Sequence, residues 1–169
     1  MFTRFDHCHK QKTRDLALRE AVLEFCDISS WQNPTAVTLT MKKALQHNGI
    51  FIPASPERCQ QNLKHALNKI NRRIYGNKAR KVRMECIPVL EQDASGRFHY
   101  HLALNRPQEV SEDFFPLMMT SVWMSTHWGY RQTDFQSNAD AGWIEYMTKL
   151  RSKTEFDASI DWGNFRKVR

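Results

Sequence analysis

Apolar residues recur at helical spacing in four parts of the chain, which predicts four amphipathic helices. The first covers residues 13–26 and ends before Ser29, and the second begins at Ser55 and ends at Gly76. Ser55 has the side chain of an N-cap, and Pro56 suits the first helical turn. The third helix opens at Ser111 and runs to residue 123, and the fourth is predicted over residues 138–150 with Asn138 as its cap.

Runs of β-branched residues and shorter apolar segments predict four strands between these helices. The strands cover residues 35–41, 82–91, 98–105 and 127–135. The second and third are joined by Asp93-Ala-Ser-Gly96, a tight turn in which glycine can take a positive φ. Helices interleaved with strands and at least one hairpin indicate an α+β sandwich, with an antiparallel or mixed sheet carrying helices.

The composition is that of a globular protein. With 169 residues and 41% hydrophobic content, the chain is expected to form one domain over residues 1–169. No apolar run is long enough to cross a bilayer, and the first twenty residues are too polar for a secretory signal. No phosphate-binding Gly-x-x-x-x-Gly-Lys motif occurs. The widely spaced cysteines predict reduced thiols in a cytoplasmic protein: Cys8, Cys26, Cys59 and Cys86.

The net charge of +7 indicates a polyanionic partner, and nucleic acid fits better than a membrane surface. The residues from 64 to 83 carry no acid and eight bases, which are predicted to bind nucleic acid: Lys64, Lys69, Arg72, Arg73, Lys78, Arg80, Lys81 and Arg83. A second basic cluster ends the chain at residues 164–169, where Trp162 and Phe165 offer stacking surfaces for bases. A charge run can also be only a solvated face.

The hairpin over residues 91–105 carries the first candidate chemistry. His99 and His101 are two apart in a strand, so their imidazoles share one face. Pairing across the turn brings Glu91 opposite His99. One carboxylate and two imidazoles, with positions left for water and substrate oxygens, suit Mg²⁺ or Mn²⁺ acting as a Lewis acid.

Two alternatives to this metal site remain open. Two histidines on a solvated strand face often have no function, and the chain has another such pair at His7 and His9 without a strand pattern. In addition, Glu85 lies at an even spacing from Glu91 and could be the acidic ligand instead.

A second candidate lies on the fourth predicted helix, where Tyr146 and Lys149 at i and i+3 would share one face. A tyrosine hydroxyl is protonated at neutral pH, and it needs a neighbouring cation or an electrophilic substrate to act as a nucleophile. The simpler interpretation is an amphipathic tyrosine with a solvated lysine one turn on.

In order and spacing, these motifs resemble the HUH endonuclease superfamily, and within it the rolling-circle replication initiators (Rep proteins). The resemblance spans residues 35–149: the strand Val37-Thr-Leu-Thr40, then Glu91 with His99-Tyr-His101, then Tyr146-Met-Thr-Lys149. It implies a ferredoxin-like palm, an antiparallel sheet flanked by helices. It also implies metal ligation by Glu91 and the two histidines, and a single nucleophilic tyrosine that nicks and rejoins single-stranded DNA through a 5'-phosphotyrosine.

The resemblance has limits that keep other functions open. Conjugative relaxases place their tyrosine before the histidines, whereas here Tyr146 follows them. Single-tyrosine HUH transposases share this order but usually carry a glutamine where this chain has Leu150. A non-catalytic binder of single-stranded nucleic acid and a nuclease that uses water are further alternatives. Without a helicase domain of its own, an initiator would need a host helicase and polymerase.

Overall fold

The computed structural model of the protein describes residues 4–150 and 156–167, and the side chains of residues 13–150 and 156–167. A 3₁₀ turn, Gly76–Arg80, follows the second helix. The other elements, in chain order, are α1 (Arg4–Phe25), β1 (Pro34–Met41), β2 (Ala44–His47), β3 (Ile50–Pro53), α2 (Pro56–Tyr75), β4 (Cys86–Gln92), β5 (Phe98–Asn105), α3 (Phe114–Met124), β6 (Gly129–Ser137), α4 (Ala141–Met147) and α5 (Phe156–Ser159).

Four strands form one antiparallel sheet in the order β4-β5-β1-β6, while β2 and β3 make a separate hairpin. The mixed α+β architecture with helices flanking the sheet agrees with a ferredoxin-like fold, so the predicted fold class is confirmed. The turn before β5 also has the predicted form: the Gly96 N–H donates to the Asp93 carbonyl, and Gly96 has φ +78°. This turn sets the register that pairs Glu91 with His99.

The sheet separates two hydrophobic cores, because successive side chains of a strand point to opposite faces. On one side, here called the α2 face, Val37, Leu39 and Tyr100 are fully buried against α2 and α3. On the other side, the α4 face, Val89 and Ala103 pack with residues of α1, α4 and α5. Both faces of β1 and β5 are therefore covered, and what a residue of these strands contacts depends on its parity.

The two middle helices begin as the sequence predicts. The Ser55 hydroxyl accepts from the Arg58 N–H at 3.4 Å, and α2 ends where Gly76 takes φ +54°. At the start of α3, the Ser111 hydroxyl accepts from the Phe114 N–H at 3.3 Å. None of the helices in the described part of the chain is long and apolar enough to span a membrane.

The outer helices differ from prediction. Helix α1 begins at Arg4 because its first residues form helix without an apolar stripe that periodicity could detect. Helix α4 is capped by Asp140, whose carboxylate accepts from the Trp143 N–H at 3.1 Å, and Asn138 has a left-handed φ of 61° instead. The same helix ends at Met147, so it is shorter at both ends than predicted.

The strands differ mainly at their ends. The predicted strand from residue 82 begins only at Cys86, because a 3₁₀ turn and extended residues precede it, and the strand predicted from residue 127 begins at Gly129. The hairpin of β2 and β3 was not predicted, since each of its strands has only four residues.

Three cysteines are buried free thiols, as predicted: Cys26, Cys59 and Cys86. Burial raises the pKa of Cys26 to about 11 and that of Cys59 to about 12, which keeps both thiols protonated and unreactive near neutral pH. The side chain of Cys8 lies outside the described residues.

Candidate active site

Both histidines of β5 point to the α4 face, and each is held by a threonine of the neighbouring strand β1. A hydrogen bond of 3.2 Å joins His99 Nδ1 to the Thr40 hydroxyl, and another of 3.2 Å joins His101 Nδ1 to the Thr38 hydroxyl. The register of β1 and β5 causes this, because Thr40 pairs with His99 and Thr38 with His101. With Nδ1 engaged, the Nε2 atom of each ring is the one available for further chemistry.

Each Nε2 atom lies beside a carboxylate. The Glu91 Oε2 atom is 3.4 Å from His101 Nε2, although the residue paired with Glu91 in the sheet is His99. His99 Nε2 is instead 2.9 Å from an oxygen of Asp93, the first residue of the hairpin turn. The carboxylate of Glu91 therefore reaches diagonally across the two strands, and the sequence prediction holds for the backbone register but not for the side-chain contact.

Asp93 is part of this site but was not predicted from the sequence. Its carboxylate accepts hydrogen bonds from the hydroxyl and N–H of Ser95 and the N–H of Arg97, in addition to its contact with His99. These bonds, with the Ser95 hydroxyl as the largest contribution, hold the pKa of Asp93 well below its usual range. Asp93 thus stays ionised and fixes both the turn and the ring of His99.

The alternative acid, Glu85, is placed elsewhere. It immediately precedes β4, and its carboxylate accepts from the Asn105 side chain at 2.7 Å. Cys86 pairs with Leu104, whereas Glu91 pairs with His99, so Glu85 and Glu91 lie at opposite ends of the two paired strands. The structure therefore brings Glu91, and not Glu85, next to the histidines.

Tyr146 lies on α4 directly above the second histidine. Its ring centroid is 5.6 Å from that of His101, with the rings nearly perpendicular, and 46% of the residue is exposed. Trp143 stacks on Tyr146 at 5.3 Å, and its indole N–H donates to the Leu102 carbonyl at 3.0 Å. Trp143 thus fixes the helix to β5 and supports the phenol ring from one side.

Lys149 joins this group from just beyond the helix. The prediction that Tyr146 and Lys149 share a helical face is wrong in detail, because α4 ends at Met147 and Lys149 lies in the following turn. The lysine still reaches the tyrosine: its Nζ is 4.0 Å from the Tyr146 ring centroid and 3.6 Å from Glu91 Oε1. A hydroxyl, an ammonium, a carboxylate and an imidazole therefore meet on one surface.

The donor set fits a divalent cation in kind but is not arranged as a finished site. Among the side chains of residues 13–150 and 156–167, no three His, Cys, Asp or Glu residues form a ready metal-binding group. His99 contacts Asp93 instead of facing Glu91, which accounts for this. Two imidazole Nε2 atoms and a carboxylate on adjoining strands are nevertheless the ligand types that Mn²⁺ and Mg²⁺ sites combine with water.

The basic segment predicted to bind nucleic acid lies away from this surface. Lys64, Arg72 and Arg73 are exposed on α2, which packs on the α2 face, whereas Tyr146 stands over the α4 face. The sheet therefore lies between the two groups. Of the C-terminal aromatic residues, Phe165 stacks on Phe25 at 5.5 Å, and Trp162 is 46% exposed.

Sequence reasoning missed the two residues that support the histidines from the neighbouring strand. Thr38 and Thr40 were part of the motif that carries the resemblance, but no role was predicted for their hydroxyls. A signal existed, since polar Thr38 and Thr40 alternate with apolar Val37 and Leu39, which marks one face of β1 as polar. The hydroxyl partners follow only from the register of β1 against β5.

A comparison with protein-family models gives one match. The model is that of the Replication-associated protein family of the ORF2 type, and it matches residues 34–155, which is more than half of the chain. That range runs from the start of β1 past the end of α4 and includes every residue of the site described above. No curated protein and no solved structure matches the chain.

Proposed function

The chain belongs to the Replication-associated protein family of the ORF2 type, and on that premise we propose that it nicks and rejoins single-stranded DNA at a replication origin. The enzyme type we propose is an HUH endonuclease with one catalytic tyrosine, Tyr146. The observation that supports this most directly is the contact of the Tyr146 ring with His101, at 5.6 Å between centroids. A half-exposed phenol beside a pair of imidazoles and a carboxylate has the parts needed for phosphoryl transfer.

In the proposed reaction, the Tyr146 oxygen attacks the phosphorus of one phosphodiester in line with its 3' oxygen. A bond forms between the phenol oxygen and phosphorus, and the bond from phosphorus to the 3' oxygen breaks. The phenol gives up its proton and the departing 3' oxygen gains one, so the products are a 5'-phosphotyrosine and a free 3'-OH. The same steps in reverse, with a 3'-OH as the nucleophile, reseal the strand without an external energy source.

Lys149 is proposed to assist at the phosphate. Its ammonium lies over the Tyr146 ring and near Glu91, so a small rotation carries it to a phosphate oxygen approaching the phenol. There it offsets the charge that builds up in the transition state. Part of its interaction with Glu91 is given up when substrate arrives.

Glu91, His99 and His101 are the residues that would hold a divalent cation, Mg²⁺ or Mn²⁺. Such a cation, when bound, supplies Lewis-acid polarisation of the non-bridging phosphate oxygens. Thr38 and Thr40 orient the two rings by bonding their Nδ1 atoms, which leaves the Nε2 atoms for the cation. Glu91 contributes a carboxylate that is largely shielded from solvent.

The basic segment from Lys64 to Arg83 is proposed to bind DNA backbone on the opposite side of the sheet. Because it does not share a surface with Tyr146, it would hold DNA that flanks the cleaved strand. A host helicase and a polymerase are the proposed partners, since the nick provides a 3'-OH that a polymerase extends.

The decisive experiment incubates the protein with end-labelled single-stranded DNA and Mn²⁺ and resolves the products on a denaturing gel. The proposal requires a protein–DNA adduct that is lost in Tyr146→Phe while DNA binding persists. Tyr75→Phe is the matched control, because Tyr75 is a partly buried tyrosine of α2 on the other side of the sheet.

The other outcomes contradict the proposal in distinguishable ways. Cleavage without an adduct indicates a nuclease that uses water, and binding without cleavage indicates a non-catalytic module. An adduct that survives in Tyr146→Phe moves the nucleophile to another side chain. Activity that persists in the double variant His99→Ala and His101→Ala refutes the metal assignment.

A further inference from the structure

The hairpin of β2 and β3 stands outside the main sheet and exposes two neighbouring large apolar residues. Phe51 is 74% exposed, the highest value among the large hydrophobic side chains that the structure describes, and Ile50 is 66% exposed. Leaving this much apolar surface in water is unfavourable, so an exposed aromatic at a hairpin tip indicates a binding function.

The exposure of Phe51 follows from an ordered hairpin. Asn48 and Gly49 make the turn with φ values of 50° and 77°, the left-handed pair that a two-residue hairpin turn needs. Leu45 and Ile52 face each other across the strands and pack on the core of the α2 face. Phe51 is next to Ile52 in the strand, so it points to the opposite side, where Gln46 is its cross-strand partner.

The base of the hairpin lies at the end of the sheet that carries His99. Thr40 pairs with His99, and only three residues later the Lys43 carbonyl accepts from the Ala54 N–H to close the hairpin. Three residues span at most about 11 Å of chain. The Lys43 ammonium also donates to the Ser95 carbonyl at 2.8 Å, within the turn that contains Asp93.

The chemistry of this segment suits single-stranded nucleic acid better than other occupants. Residues 42–56 include Lys42 and Lys43 and contain no acidic residue. Exposed aromatic rings flanked by cations bind single strands by stacking on bases while the cations meet phosphates. The position at the histidine end of the sheet makes the hairpin continuous with the surface on which the scissile strand would lie.

We propose that the β2–β3 hairpin is a base-stacking element, in which Phe51, supported by Ile50, holds a base of the single strand that flanks the scissile phosphate. This inference rests on the proposed function for the identity of its ligand. Lys42 and Lys43 neutralise phosphates at the base of the hairpin. The element binds and positions DNA and takes no part in the bond rearrangement.

The test measures binding of fluorescently labelled single-stranded DNA by polarisation, in a Tyr146→Phe protein so that no adduct forms. We expect Phe51→Ala to weaken binding by about fivefold or more, since stacking of one base on an aromatic ring contributes about 1–3 kcal/mol. Phe51→Trp should restore it. Phe114→Ala is the matched control, because Phe114 is 55% exposed on α3 at the far end of β1.

A second measurement locates the contact. DNA carrying 5-iodouracil is irradiated with the Tyr146→Phe protein, and the crosslinked peptide is identified by mass spectrometry. Crosslinks within residues 44–53 support the proposal. Unchanged affinity of Phe51→Ala, or crosslinks that avoid the hairpin, overturn it, and so does a Phe51→Ala change seen only in self-association or in binding to anionic vesicles.

The two proposals fail in different ways. If the native protein forms no adduct but Phe51 still governs affinity for single-stranded DNA, the nicking function is wrong and the stacking element stands. If the native protein forms the Tyr146 adduct and Phe51→Ala binds DNA as tightly as Phe114→Ala, the nicking function stands and the stacking element is wrong.

Discussion

The threonines that hold the histidines give the sharpest test of the site. Thr40→Val and Thr38→Val keep the shape and β propensity of the side chain but each remove one hydrogen bond of 3.2 Å to a ring Nδ1 atom. Residues that orient a metal-ligating histidine typically change metal affinity by about 10–100-fold. That range corresponds to about 1.4–2.8 kcal/mol of binding free energy.

The cost in stability should be smaller than this. Loss of one neutral hydrogen bond costs about 1 kcal/mol, which lowers the Tm of a domain of this size by about 2–4 °C. Both rings are only partly buried, with 19% of the His99 side chain and 12% of the His101 side chain exposed. Water can therefore replace part of the lost bond, and we expect the loss of metal affinity to exceed the loss of folding free energy.

Mn²⁺ affinity is measured by titration calorimetry and unfolding by a thermal melt. Thr35→Val is the control, because Thr35 is a buried threonine of β1 that pairs with no histidine and bonds the Asn33 carbonyl. We expect weaker Mn²⁺ binding in Thr38→Val and Thr40→Val and none of this effect in Thr35→Val. Equal Mn²⁺ affinity in all three variants and the native protein would refute the role of the threonines, even if nicking were impaired.

Three further predictions follow from contacts of single residues. Lys149→Met should slow formation of the Tyr146 adduct by about tenfold or more, and Lys149→Arg by less, in single-turnover gels, because a cation near the phosphate is lost. Asp161→Ala should lower the free energy of unfolding by about 3 kcal/mol in denaturant titrations, since the buried hydroxyl of Tyr100 donates to this carboxylate at 2.9 Å. Cys59, with its pKa raised to about 12, should resist iodoacetamide at about pH 8 in the folded protein and react in concentrated guanidinium.

The parts of the site that the sequence predicts are those set by local rules. The Asp93–Gly96 turn fixes how β4 meets β5, and alternation along β5 puts His99 and His101 on one face, so the pairing of Glu91 with His99 could be derived in advance. The two-residue spacing of a strand leaves no freedom in this step. The fold class follows similarly from the hairpin and the helical periodicities.

The parts that could not be predicted depend on contacts between distant segments. Helical periodicity shows that α2 has an apolar stripe, but not which face of the sheet it covers, so the position of Arg72 and Arg73 opposite the site was not foreseeable. Lys149 was placed on a helix that ends two residues before it, because the terminal turn is decided by packing. The contact of Asp93 with His99 depends on side-chain rotamers, which pattern alone does not give.

The two halves of the site are held with different firmness, and this bears on how the proposed reaction could run in both directions. The histidines belong to a strand paired on both sides, and threonines of the next strand fix their rings. Tyr146 belongs to a helix of seven residues that buries only Ile144 and Met147. A nucleophile that carries DNA covalently and later releases it needs room to move relative to the phosphate-binding residues. A short, lightly buried helix over a rigid sheet supplies that freedom, because the number of buried contacts limits how far an element can shift.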